Sequence, residues 1–235
     1  MKKASSLSTR LWANRSGVAL IEFALSLPVI LLMGLGGTEL AHMAIARERV
    51  DQIAMLVADN AARVRNIIDE TDVNEIMAGG KYVGQGIDFG AHGRIILSNV
   101  QNNPTNTGQW IRWQRCAGAK NVSSTYGNVN DGWQDTSLSA GIYDHTNPTA
   151  GKISAAPGTI VMFVEVVYDY QPIVPISYFG ARTFRATQAF NVRDRTPASS
   201  TNADGTVNLN PPKDIQDQSN LAATNKNSSC SLYSA

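Results

Sequence analysis

The first pattern along the chain is an apolar run close to its start. Residues 18–37 read VALIEFALSLPVILLMGLGG and contain a single charged residue, Glu22. A helix of this length covers about 30 Å, the thickness of the hydrocarbon core of a bilayer. The run is longer than the apolar part of a secretory signal and has no small-residue cleavage site at its end. It predicts a transmembrane helix over residues 18–37.

The spacing of apolar residues changes beyond this run. Residues 38–69 contain no Pro or Gly, and apolar residues recur every three or four positions. This predicts an amphipathic extension of the same helix. Gly36 and Gly37 leave open the alternative that two helices meet here, because glycine disfavours a helix interior. Glu39, just past the membrane exit, is interpreted as a solvated interfacial carboxylate.

A short second helix is predicted over residues 71–78. Asp72 and Glu75 form a capping pattern at its start, and Gly79 and Gly80 mark its end. Strand-like patterns follow and are separated by turn residues. The predicted strands cover residues 93–101, 109–115, 159–171 and 183–193. The third is apolar on both faces, which predicts a central strand with the helix on one side.

The predicted fold class is therefore α+β, with a long N-terminal helix packed on a small antiparallel β-sheet. Residues 70–195 would form this domain. Residues 116–158 form a long irregular excursion rich in polar and turn-forming residues, and such loops are usually functional or mobile. Residues 196–235 are poor in large apolar residues, which predicts a mostly disordered tail.

The connection between the last two strands is unusually apolar. Residues 172–180 read PIVPISYFG. Its apolar members are Ile173, Val174, Ile176, Tyr178 and Phe179. Two interpretations stay open: a contact surface for a partner protein or the membrane face, and a loop folded onto its own core.

Charge adds an orientation to this picture. The net charge is +1, so no global basic field indicates a nucleic-acid partner. Residues 1–17 nevertheless contain four basic residues and no acid: Lys2, Lys3, Arg10 and Arg15. A basic, acid-free start before an apolar run indicates a cytoplasmic leader under the positive-inside rule. The domain that follows the membrane helix would then be periplasmic.

The two cysteines bear on that compartment. Cys116 and Cys230 are too few and too far apart for a zinc site. A periplasmic location permits a disulfide between them, which would tie the end of the tail back to the domain. The alternative is two unrelated thiols.

Glu22 is costly inside an apolar helix. One interpretation places it close enough to the interface to reach water. The other begins with cleavage after Gly17, which would make Val18 the new amino terminus and Glu22 the fifth residue. The carboxylate would then pair with the freed amino group of a neighbouring subunit and fix the register between packed helices.

These residues resemble a known family. The basic leader, Ser16-Gly17 and then VALIEF resemble the class III leader of type IV pilins, and residues 17–54 resemble the defining region of TadE-like proteins of the Tad (tight adherence) pilus system. The resemblance implies cleavage between Gly17 and Val18 by an aspartic prepilin peptidase that recognises Glu22-Phe23. It also implies a helix with a proline kink at Pro28, and a pilin-like fold.

The resemblance further implies a location and partners. The chain would cross the bacterial inner membrane once, with a cytoplasmic N-terminus and a periplasmic domain. Two destinations stay open: it remains in that membrane, or it is incorporated into an extracellular pilus. Its partners would be other Tad pilins and pseudopilins, the prepilin peptidase and the inner-membrane assembly platform. The expected function is that of a minor pseudopilin in pilus assembly. The alternative is an uncleaved, membrane-anchored periplasmic binding module or adhesin that uses residues 116–158.

Catalytic chemistry is not indicated. The sequence contains no nucleophile, zinc-protease or P-loop motif, so we expect no catalytic residue, metal or cofactor. Three groups of residues could in principle form a site. The histidines His42, His92 and His145 are isolated from one another. The loop carboxylates Asp131, Asp135 and Asp144 are interpreted as solvated rather than as a calcium site, and Trp110, Trp113 and Trp133 as core or rim packing rather than as a sugar-binding platform.

Overall fold

The computed structural model describes residues 16–64, 68–174, 180–193 and 228–233. The basic leader up to residue 15 lies outside the described residues, as does most of the predicted disordered tail. Three residues of the predicted contact surface, Ile176, Tyr178 and Phe179, also lie outside them.

The N-terminal segment is one long helix. Helix α1 covers Ser16–Arg63, which is 48 residues, and it continues without a break through Gly36 and Gly37. The prediction of a single helix is confirmed, and the alternative of two helices that meet at the glycines is wrong. The helix ends at Arg63 rather than near residue 69. Its first half carries large apolar side chains on every side, which typifies a lipid-facing helix.

The described chain forms two compact units. The first contains residues 16–44 of α1 together with residues 172–174 and 180. The second contains the rest of α1 and all four strands.

The second unit is built on an antiparallel four-stranded sheet. Its strands are β1 (Gly93–Asn102), β2 (Gln109–Ala117), β3 (Ile160–Asp169) and β4 (Thr183–Asn191). Their spatial order is β2-β1-β3-β4, so β3 is a central strand as its two apolar faces predicted. Each predicted strand is present with small shifts at its ends. The α+β fold class is confirmed.

Helices cover one face of this sheet. The part of α1 beyond residue 44 buries a face of small and branched side chains: Ala46, Val50, Ile53, Ala54, Val57, Ala58, Ala61 and Ala62. Helix α2 (Glu70–Val83) lies beside it, followed by a 3₁₀ turn at Gln85–Ile87 and the short helix α3 at Phe89–His92. Small residues let neighbouring elements approach closely.

Two sequence predictions for α2 are wrong. Its capping box is formed by Asp69 and Asp72, not by Asp72 and Glu75: the Asp72 N–H donates to Asp69 Oδ1 at 2.9 Å, and the Asp69 N–H donates to Asp72 Oδ2 at 3.1 Å. The helix also continues past Gly80 to Val83. A Cβ at Gly80 would lie 2.8 Å from Val57 Cγ2 and 2.9 Å from Ile95 Cδ1. The glycine therefore serves close packing of α2 against α1 and β1.

The irregular excursion covers the other face of the sheet. Four of its residues, Tyr126, Leu138, Ile142 and Ala155, form a buried cluster with Val100, Ile111, Val161 and Phe163 of the strands. The buried carboxylate of Glu165 on β3 holds the excursion in place. It accepts hydrogen bonds from Ser124 Oγ at 3.0 Å and from the Thr125 N–H at 3.1 Å. The excursion is thus a third structural layer.

Candidate functional site

The first half of α1 presents an apolar surface that is not covered by the protein. Its exposed large side chains are Val18, Leu20, Ile21, Phe23, Leu25, Leu27, Val29, Ile30, Leu31, Leu32, Met33 and Leu35. A continuous apolar patch of this extent is unusual in water and marks a membrane or protein contact. Among the described helices, one is long and apolar enough to cross a membrane, and it is α1.

The hydroxyl groups of Ser26, within the apolar run, and of Thr38, just past it, donate to carbonyls of the helix itself. Ser26 Oγ donates to the Phe23 carbonyl at 3.0 Å. Thr38 Oγ1 lies 2.9 Å from the Leu35 carbonyl, at the far end of the run. Pro28 lies inside the helix and lacks a backbone N–H, and α1 continues through it. Internal satisfaction of this kind is what a hydrocarbon environment requires.

The residues predicted for processing lie on the first turns of α1. Among the described residues, apart from the chain neighbours of Gly17 and the adjacent backbone of α1, no atom lies within 4 Å of the position of an added Cβ at Gly17. Val18 and Phe23 are more than half exposed, and Glu22 is exposed. Val18 and Glu22 are four positions apart and so share one face of the helix. The structure places these residues on exposed first turns of α1, and their role in processing stays a prediction.

Residues 17–63 match the family model of TadE-like proteins. The match begins at the predicted cleavage residue and ends with the last residue of α1. It confirms the resemblance over this TadE-like segment and indicates a protein associated with the Tad pilus. No curated protein and no solved structure matches the chain.

Glu39 lies in the TadE-like segment, and its environment differs from the one predicted. Its side chain is fully buried, and Oε2 accepts hydrogen bonds from the backbone N–H groups of Ile173 and Val174, both at 3.0 Å. The prediction of a solvated carboxylate is therefore wrong. The local sequence does not reveal this burial, because the N–H groups that bind the carboxylate follow more than 130 residues later in the chain. Ile173 itself is 66% exposed, and Val174 is half-buried.

The two cysteines are joined in the structure. A disulfide connects Cys116 at the end of β2 with Cys230. The backbone N–H of Cys116 also donates to the Ser228 carbonyl at 2.7 Å, on the outer edge of the sheet. Residues 228–233 thus cover part of an edge strand, which would otherwise present unpaired backbone groups.

A buried arginine holds the same segment, and sequence reasoning missed it. Arg94 on β1 is fully buried and donates to the carbonyls of Gly118 at 2.7 Å, Leu232 at 2.6 Å and Cys230 at 2.8 Å. The Tyr233 ring lies 4.3 Å from the guanidinium. Burial lowers the pKa of Arg94, and Tyr233 partly offsets this. We call Arg94, the disulfide and residues 228–233 the C-terminal clasp.

A second buried charge joins α2 to the sheet. Glu70, in the first turn of α2, pairs with Arg115 of β2, and Arg115 Nε lies 2.9 Å from Glu70 Oε1. Both side chains are buried. The sequence does not reveal this pair, because Arg115 lies in a strand that also contains Gln109, Arg112 and Gln114.

The candidate ligand sites weighed from the sequence have structural roles. Asp131, Asp135 and Asp144 each accept hydrogen bonds from residues two or three positions away, and they cap separate turns. The hydrogen bonds from Ser137 lower the pKa of Asp135. Burial raises the pKa of Asp144, but hydrogen bonds from Thr146, Thr125 and Asn147 together outweigh it, and the pKa is lowered. Within the described residues, no group of His, Cys, Asp and Glu is placed to hold a metal.

The tryptophans and the histidines do not form a site either. Trp110 and Trp113 are buried, and Trp110 packs against Trp133 with ring centroids 4.1 Å apart, so core packing is confirmed for the first two. His92 lies beside Asp88, whereas His145 Nδ1 lies 2.8 Å from the Thr125 carbonyl.

One described cleft of about 380 Å³ lies between the β1–β2 turn and residues 154–157. Its lining contains amides, hydroxyls and apolar groups and no ionisable side chain. Acid–base catalysis has no residue to use there.

Proposed function

We propose that this protein is a minor pseudopilin that acts in the assembly of a Tad-type pilus, at its initiation or its tip. The observation that carries this proposal is the TadE-like match over residues 17–63, on a helix whose first half exposes apolar side chains on all sides. The proposed role is structural and not enzymatic. Its partners are other Tad pilins, the prepilin peptidase and the inner-membrane assembly platform.

The mechanism begins with the membrane helix. The basic leader stays in the cytoplasm, residues 18–37 span the inner membrane, and the sheet unit folds in the periplasm. A prepilin peptidase cuts after Gly17, where the described part of the chain leaves room around the Cα atom at the start of α1. The exposed apolar half of α1 then leaves the bilayer by packing against the same region of other pilins.

Glu22 acts in this packing step. After cleavage, its carboxylate neutralises the new amino terminus of a neighbouring subunit, because an unpaired charge in a packed apolar bundle is strongly unfavourable. The exposed position of Glu22 on the same face as Val18 supports this role. The sheet unit, with the excursion as its outer layer, selects the partner subunits.

Complementation of a deletion strain tests the proposal. We expect loss of Tad pili and of pilus-dependent surface attachment, with restoration by the wild-type chain. Gly17→Ala should fail to restore pili, because the leader stays attached. Glu22→Gln should restore them poorly, whereas Glu48→Gln, at an exposed position of the same helix, should restore them fully.

Normal pilus number and attachment in the deletion strain would contradict the proposal. Full restoration by Gly17→Ala would instead favour an uncleaved, membrane-anchored module.

A further inference from the structure

The connection between β3 and β4 is fixed to α1 by Glu39. One carboxylate oxygen accepts two backbone hydrogen bonds, from Ile173 and Val174, and the side chain is fully buried. A carboxylate that accepts several backbone N–H groups forms charge-assisted bonds, which are stronger than neutral ones. Both partners belong to the first compact unit, so this contact is internal to that unit.

Glu39 fixes the height of this connection along the helix. It lies two residues past the apolar run, which corresponds to about 3 Å of helix rise. Side chains of a helix lean toward its N-terminus, so the carboxylate lies level with the end of the run. The backbone of Ile173 and Val174 is therefore held where α1 would leave the hydrocarbon core.

The side chain at this position points away from the protein. Ile173 is 66% exposed although its N–H is bound. Residues 171–174 carry no charge that would have to be dehydrated on insertion. On α1, Leu35 and Leu40 are also more than half exposed on either side of Glu39. The apolar surface of the membrane helix thus continues at the level of Ile173.

We propose that residues 172–174 form an interfacial anchor whose partner is the lipid bilayer, with Ile173 inserted at the boundary between headgroups and acyl chains. The proposal rests on the proposed membrane-spanning role of α1. Glu39 positions the anchor by holding its backbone. A short apolar element at this depth binds reversibly and sets the orientation of the chain to which it is attached.

The test uses site-specific fluorescence of the full chain reconstituted in lipid vesicles. Both native cysteines are held in the disulfide, so one added cysteine is a unique labelling site. An environment-sensitive fluorophore is attached at Ile173→Cys, at Met33→Cys in the apolar run, or at Tyr82→Cys in the sheet unit. The side chains of Met33 and Tyr82 are 74% and 76% exposed. Quenching is measured with nitroxide-bearing lipids and with aqueous iodide.

The anchor predicts that lipid nitroxides quench positions 33 and 173, and that iodide alone quenches position 82. Glu39→Ala should abolish lipid quenching at position 173 and leave quenching at position 33 unchanged. Glu39→Gln keeps one oxygen acceptor, so it should reduce lipid quenching at position 173 less than Glu39→Ala does. The near-ultraviolet circular dichroism of each variant checks that the sheet unit remains folded.

Each of the other outcomes would overturn one part of the proposal. Lipid quenching at 33 but not at 173 would overturn the anchor and leave the membrane span intact. Absence of lipid quenching at 33 would overturn the span itself. Protection of 173 from both quenchers would show that protein, such as a second copy, covers it. If lipid quenching at position 173 persists in a folded Glu39→Ala variant, Glu39 does not position the anchor.

Discussion

Arg94 Nη2 donates a hydrogen bond to the backbone carbonyl of Cys230 at 2.8 Å, across 136 residues of sequence. Together with the disulfide, this bond makes residues 228–233 part of the sheet unit although the intervening tail is polar and long. A segment held by a buried guanidinium and a covalent bridge contributes to the stability of the unit, not only to its surface.

Replacement of Arg94 by Met should destabilise the protein. The variant loses three hydrogen bonds from a buried guanidinium and leaves the buried Gly118 carbonyl without this donor, so we expect the free energy of unfolding to fall by about 2–4 kcal/mol. Arg94→Lys should recover only part of this, because an ammonium lacks the planar fork of donors. Denaturant unfolding of the full chain in detergent measures the change. Arg63→Met, at an exposed position, is the control and should change stability by less than about 0.5 kcal/mol.

Loss of the disulfide should also destabilise the protein. The bridge joins residues 114 positions apart. Cross-links over loops of this size stabilise by about 4–5 kcal/mol in the chain-entropy model. A Cys116→Ser, Cys230→Ser double variant should therefore unfold at lower denaturant, and reductant should shift the wild type to the same midpoint. Equal midpoints for the oxidised wild type and the double variant would contradict a stabilising clasp.

Two adjacent glycines of α2 should respond oppositely to alanine. Gly80→Ala places a Cβ within 2.8 Å of Val57 Cγ2, and we expect it to lower stability by about 1–3 kcal/mol. At Gly79 the nearest atom is Leu56 Cδ2 at 3.8 Å, so Gly79→Ala should gain the better helix propensity of alanine, about 0.5–1 kcal/mol. Thermal unfolding distinguishes the two. A stabilised Gly80→Ala variant would show that this contact is not close.

Asp169 should contribute to the loss of folding stability at acidic pH. Burial raises its pKa, but hydrogen bonds from Lys120 and from Thr183 Oγ1 at 2.7 Å outweigh it, and the pKa is lowered in the folded state. A lowered folded pKa contributes stability above the unfolded pKa of about 4, and this is lost as pH falls through the folded pKa.

The wild type and Asp169→Asn should therefore differ most in stability above about pH 4 and converge at lower pH. Unfolding midpoints measured from pH 7 to pH 2 test this. Asp51→Asn, at an exposed position of α1, is the control and should run parallel to the wild type. A constant difference between wild type and Asp169→Asn at all pH values would contradict the assignment.

The sequence predicts what depends on local periodicity. The apolar run and the spacing after it define α1, and alternation defines four strands, including the central position of β3 with its two apolar faces. The ends of α2 were mispredicted because Gly80 packs against residues of α1 and β1 that are distant in sequence. Glycine often ends a helix, but at Gly80 this local preference is overridden by the tertiary contact.

Buried charged residues are a second kind of feature that the sequence did not predict. Glu39, Glu70 and Arg94 each have partners at least 24 residues away, and a charge looks the same in sequence whether it is solvated or buried and paired. Single-sequence patterns therefore identified the TadE-like segment that begins at Gly17, but not the buried contact of Glu39 with the backbone of Ile173 and Val174.

The most direct test of the pseudopilin account is the N-terminus of the mature protein. The chain is co-expressed with an active prepilin peptidase beside a Gly17→Ala variant, and intact mass and N-terminal sequence are determined. The account predicts a new terminus at Val18 in the wild type and an uncut chain in the variant. A wild-type chain that retains Met1, while the same peptidase cleaves a control pilin, would contradict it.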